Sequence, residues 1–146
     1  MREVVPSQLE AWLKEASPPL LLDVREPWEF DTCRIDGAVL IPMASIVGRA
    51  RELDPERPIV VVCHHGVRSL QVAMYLERSG FADVINLSGG VAAWATQVDP
   101  QMPRYSDRGS SPANPEAALA ASAPELQTQN EQQTQNLNLP RRKPPS

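Results

Sequence analysis

Pro58-Ile59-Val60-Val61-Val62-Cys63-His64-His65-Gly66-Val67-Arg68-Ser69 is the stretch from which the rest of the chain is read. Four β-branched residues stop at a cysteine, a short polar loop follows, and Arg68 and Ser69 precede a helical pattern. The order is strand, thiol, loop, helix start. A thiol in that position faces backbone N–H groups and the positive end of a helix dipole, a setting that favours the thiolate. Gly66 is expected to supply the unusual dihedral that so tight a loop needs, and Ser69 is expected to cap the helix.

The segments on either side predict how this stretch is housed. Ser7 and Glu10 have capping-box spacing at the start of a helix carrying Leu9, Trp12, Leu13 and Ala16 on one face, which Pro18-Pro19 ends. Leu20 to Val24 is an apolar run too short for a helix and reads as a buried strand. Pro27 suits a first helical turn, so Trp28-Glu29-Phe30 forms a brief helix. Ile35 to Pro42 reads as a turn and a third short strand. Met43 to Leu53 is helical by spacing, with Ile46, Val47, Ala50 and Leu53 on one face. A further helix spans Ser69 to Ser79, with Leu70, Val72, Ala73 and Leu76 inward and Gly80 closing it. Asp83 to Leu87 is the next strand, Gly89-Gly90 a turn, and Val91 to Trp94 opens the last helix. Strands alternating with helices at this pitch predict an α/β fold, with a central, mostly parallel sheet flanked by helices. Cys63 then falls at the carboxyl end of a central strand, where open α/β sheets place their sites.

Bulk composition narrows the function. The 146 residues carry a net charge of -4, which argues against a nucleic-acid surface or an anionic membrane as partner. No apolar run approaches the roughly 20 residues of a membrane span. The first residues lack a signal peptide's apolar stretch, so a reducing cytoplasm and free thiols are expected. Cys33 and Cys63 make neither a Cys-x-x-Cys motif nor a metal-ligand cluster. From residue 107 to 146 the chain turns to Ser/Pro/Ala, then Gln/Asn/Thr, and ends near Pro140-Arg141-Arg142-Lys143-Pro144. That composition predicts a disordered tail behind a domain at 1–106. Oligomeric state is left open by the sequence.

Cys63 to Arg68 is Cys-x4-Arg. Phosphatases that form a cysteinyl phosphate use Cys-x5-Arg, a cradle wide enough for a tetrahedral oxyanion; the shorter loop suits one extra sulfur atom on the cysteine. With Leu22-Asp23-Val24-Arg25-Glu26, with Glu29-Phe30 ahead of Ile35-Asp36-Gly37-Ala38 and Ile41-Pro42, and with Leu87-Ser88-Gly89-Gly90 before Trp94, the chain resembles a single-domain rhodanese, a thiosulfate-type sulfurtransferase. The resemblance covers residues 4 to 98. It departs at Cys33-Arg34-Ile35, where the family often has Gly-His-Ile, and at His64-His65, which leaves the substrate more open than the chemistry.

The resemblance implies a rhodanese-like fold and a cofactor-free enzyme with Cys63 as nucleophile. His64, His65, Gly66, Val67, Arg68 and Ser69 would form the loop that binds persulfide and substrate. Arg68 would attract a small anionic sulfur donor, and Asp23 and Arg25 would hold the loop. A thiol, a protein or cyanide would accept the sulfur. Two alternatives stand beside this: a carrier passing persulfide between proteins, and an arsenate reductase or phosphatase, which the short loop disfavours. Cys33 is expected to be a buried inert thiol rather than a resolving partner, and the two histidines to be loop polarity rather than metal ligands.

Overall fold

A computed structural model of the protein describes residues 1–106. The expected tail from 107 onward lies outside the described residues. Met1–Pro103 forms one compact unit. Its elements are β1 (Arg2–Val4), α1 (Pro6–Leu13), β2 (Leu20–Asp23), α2 (Pro27–Thr32), β3 (Val39–Leu40), α3 (Ile46–Arg49), β4 (Ile59–Val62), α4 (Val67–Arg78), β5 (Val84–Leu87) and α5 (Gly90–Gln97).

The five strands form one parallel sheet in the order β1-β5-β4-β2-β3. β4 lies at its centre, with Val61 opposite both Leu22 and Asn86. All of its residues are buried, as a central parallel strand covered on both faces requires. Side chains alternate across the pleat. Ile59, Val61 and Cys63 therefore share one face, in one apolar cluster with Val72, Ala73 and Leu76 of α4 and with Ile46 and Leu53. Val60, Val62, Ile85 and Leu87 alternate with that cluster and are equally buried; α1 and α5, packed on each other, supply the second layer. The expected α/β architecture is the one observed.

Local departures have local causes. β1 was not expected: only Val4 of its three residues is buried, so no apolar run announces it, and pairing with β5 makes it a strand. The capping box at Ser7 and Glu10 is absent. Val5 is the N-cap and Pro6 begins α1, because a proline at the first helical position lacks an N–H that would otherwise need a partner. Met43 to Leu53 is not one helix. A 3-10 turn at Met43–Ser45, the four-residue α3 and a second 3-10 turn at Ala50–Glu52 share the stretch. The tighter winding of 3-10 turns moves the phase of the apolar face, and Val47, placed inward by a continuous helical period, is 74% exposed. α4 begins at Val67, two residues before the expected start.

Candidate active site

Cys63 is the first residue beyond β4 and is almost fully buried. The loop turns back through Gly66, whose φ of 100° is left-handed and makes it the N-cap of α4. This turn brings the Gly66 N–H to 3.0 Å from Cys63 Sγ. Ser69 is thus not the cap. It sits in the first turn of α4, buried, with Oγ 3.2 Å from Cys63 Sγ.

A second helix start fixes the loop from the other side. Val91 N–H donates to the Cys63 carbonyl at 2.9 Å and Ala92 N–H to the His64 carbonyl at 3.0 Å, two donors that a first helical turn leaves without partners of its own. The approach is so close that a Cβ on Gly90 would lie 2.3 Å from the Cys63 oxygen and 2.4 Å from that of His64. Gly90 is therefore a close-packing position and not merely the turn residue expected from Gly89-Gly90.

The loop is tied sideways by Arg68. Its guanidinium donates to both carboxylate oxygens of Glu29, Nη1–Oε1 and Nη2–Oε2 each 2.8 Å. Glu29 is buried, and its Oε1 also accepts the Glu26 N–H at 2.9 Å in the reciprocal cap that starts α2. Desolvation, and then the neighbouring charge of Glu29, push the Glu26 carboxyl above its usual range, against the pull of Arg68.

Asp23 and Arg25 brace this arrangement from one step back. Both are fully buried and form a forked pair, with Arg25 Nη2 2.7 Å from Asp23 Oδ2. Arg25 also donates to the carbonyls of Cys33 at 2.7 Å and Glu29 at 3.3 Å. The pair thus holds the end of α2, the helix that carries Arg68's partner. Val24, between the two, donates its N–H to the Val62 carbonyl of β4, the strand from which the loop departs, at 3.0 Å.

The remaining expected site residues divide by exposure. The rings of His64 and His65 lie against each other with centroids 3.9 Å apart; His64 is buried and His65 exposed. Val67 is exposed at the loop's outer edge. Cys33 and Cys63 are both free thiols. Cys33 is buried with Sγ 3.9 Å from Arg25 Nη1, and burial pushes its thiol up, opposed by the arginine.

Two residues near the loop went unassigned in the sequence: Glu29, which sets Arg68, and Asn86, a buried polar residue whose amide reaches Ser69 Oγ and the Gly66 carbonyl. Asn86 carried a signal, being the one amide in the apolar strand Val84-Ile85-Asn86-Leu87.

A rhodanese-like domain family model matches residues 5–97. The chain belongs to the rhodanese-like domain family. Over 95 residues it is 37% identical to a protein named thiosulfate sulfurtransferase GlpE from Pseudomonas syringae, a match that covers 65% of this chain and 88% of that one. It is 40% identical over 105 residues to a Mycobacterium tuberculosis protein named probable adenylyltransferase/sulfurtransferase MoeZ. That match covers 70% of this chain and only 26% of that relative's length. Among solved structures, the fold is similar to a rhodanese-like domain protein from Staphylococcus aureus, with TM-score 0.63, 33% identity, and coverage of 73% of this chain and 100% of that one.

Proposed function

We propose that the protein is a sulfurtransferase that moves sulfane sulfur from a donor such as thiosulfate to a thiol or cyanide through a persulfide on Cys63. The observation that carries this reading is the Gly66 N–H aimed at Cys63 Sγ from 3.0 Å, inside a loop whose Cys63 and His64 carbonyls are held by α5. Such a loop offers backbone donors to sulfur at a helix start. Relatives named sulfurtransferase support the reaction class.

In the first half-reaction the Cys63 thiolate attacks the outer sulfur of thiosulfate. A new S–S bond forms, the old one breaks, and sulfite leaves with the bonding pair. In the second half-reaction an acceptor thiolate or cyanide attacks the terminal sulfur, and Cys63 departs as thiolate. Loop amides, Gly66 foremost, steady the added sulfur. The residues of the cycle are the chain's own, and no cofactor enters it. We assign Arg68 to anchoring the loop on Glu29 rather than to gathering donor, since its charge is already paired. The anionic donor of the sequence reading thus meets a site whose nearby arginines, Arg25 and Arg68, are both ion-paired.

That pairing favours a second reading, a carrier that accepts sulfur from a protein persulfide and turns over slowly on small dianions. Thiosulfate-dependent transfer to cyanide, abolished in Cys63→Ser, tests the first. Transfer from a persulfidated protein with no thiosulfate turnover selects the second. We place the reaction in the cytoplasm; among the described residues no helix is long and apolar enough to cross a membrane.

A further inference from the structure

Asn86 lies in β5 beside β4, with Glu3 of β1 on its other side in the register. Its side-chain nitrogen faces only acceptors: the Gly66 carbonyl at 3.2 Å and the two Glu3 carboxylate oxygens at 3.4 Å each. That fixes which end of the amide is which. Asn86 Oδ1 then faces Ser69 Oγ and must be an acceptor, so Ser69 spends its single proton there. Ser69 Oγ has only lone pairs to offer Cys63 and accepts the Cys63 S–H at 3.2 Å. Gly66 N–H donates to the same sulfur at 3.0 Å.

The four bonds form a closed ring running one way, from Cys63 to Ser69 to Asn86 to Gly66 and back to the sulfur. Its three side chains are buried. The Ser69 hydroxyl and the Asn86 amide each join two of these bonds and polarise them, Gly66 links the ring mechanically through its Cα, and away from water the loss of one bond leaves its neighbours unsatisfied.

We infer that Asn86 is a positioning residue for the Cys63 sulfur, acting through Ser69 on one side and the Gly66 peptide on the other. This rests on Cys63 being the nucleophile of the preceding section. Through the ring, β5 dictates which way the Ser69 hydroxyl points, and the loop peptide and the thiol are clamped in register. A buried asparagine that merely satisfied its own hydrogen bonds would not couple to the chemistry at sulfur.

The test uses the full chain carrying Cys33→Ala, so that Cys63 is the sole thiol, and follows alkylation by iodoacetamide at one pH. Iodoacetamide takes the thiolate, and the ring holds Cys63 as the thiol by accepting its proton at Ser69, so Asn86→Ala and Ser69→Ala, each of which opens the ring, are expected to speed the reaction about tenfold. The double variant is expected to be no faster than the faster single one, because each substitution opens the same ring. Rates that rise multiplicatively, or a folded Asn86→Ala variant that reacts like its parent, would overturn the inference.

Should Asn86→Ala fail to fold, the asparagine-bearing protein decides. Alkylating Cys63 is expected to shift the Asn86 side-chain amide resonances in the NMR spectrum, and to shift them less in Ser69→Ala, where only the Gly66 arm remains. No shift with Ser69 present overturns the inference. Alkylation needs no sulfur donor, so a protein that couples Asn86 to Cys63 yet loads no sulfur would fail the transferase reading and leave the ring intact.

Discussion

Arg68 and Glu29, 39 residues apart in sequence, meet in a two-pronged ion pair with both N–O distances at 2.8 Å. The pair joins the start of α4 to the first turn of α2, so the loop is pinned at both of its ends. The planar guanidinium matches the carboxylate fork, which a lysine ammonium cannot.

Breaking the pair should cost more than an exposed salt bridge would, because Glu29 is buried while Arg68 is 32% exposed. Arg68→Ala is expected to lower unfolding stability by about 2 kcal/mol, less than a fully buried pair because solvent still reaches the arginine side. Arg68→Lys should recover only part of that. Urea unfolding followed by circular dichroism measures both; a lysine variant equal to the parent would show that the fork is immaterial.

Gly90 is predicted to accept no side chain. An alanine there needs a left-handed backbone at φ 60° and places its Cβ within 2.5 Å of three main-chain atoms of Cys63 and His64. The loop must move or α5 must. Gly90→Ala is expected to lose about 2–4 kcal/mol and to cut sulfur transfer at least tenfold where it remains folded. Thermal unfolding and a transfer assay on the same sample would check this, and parental values in both would contradict it.

Asp23 and Arg25 form a pair that solvent does not reach. Asp23→Ala leaves the arginine charged and buried, so a loss of about 3–5 kcal/mol is expected. Replacing both partners with apolar residues of similar size should cost less than either single change. A double variant as unstable as the sum of the two singles would argue against an uncompensated charge as the cause.

Glu26 gives the protein a pH dependence of definite sign. Its carboxyl is held above the ordinary range in the folded state, so the folded protein binds its proton more tightly than the unfolded chain. The associated stability is complete below the unfolded value and is lost as pH rises through the folded one. Glu26→Gln keeps an oxygen for the cap and removes the charge. It is expected to raise the melting temperature at pH 7 relative to the parent and to leave it unchanged in acid. The opposite order would contradict the assignment.

The strand and the loop that starts at Cys63 were legible because a β-branched run that ends in a cysteine and a short glycine-bearing loop has few other readings. The sheet followed from the spacing of short apolar runs between prolines and glycines. What stayed hidden depends on tertiary pairing. β1 has a single inward residue, and only β5 makes a strand of it. Val47 looked inward because a helical period was carried through 3-10 turns that change its phase. Nothing near Arg68 in sequence announces Glu29, and nothing near Ser69 announces Asn86. Gly90 read as a turn because glycine serves both turns and close approaches, and only the distance to the Cys63 carbonyl tells them apart.

The claim on which the account turns is that Cys63 carries sulfur, and intact mass reads it directly. After incubation with thiosulfate, and in parallel with an alkyl persulfide, the protein is expected to gain the mass of one sulfur atom from at least one donor. Cys33→Ala should gain it equally, Cys63→Ser should not, and an added thiol should remove it. No gain from either donor, or an undiminished gain in Cys63→Ser, would contradict the account.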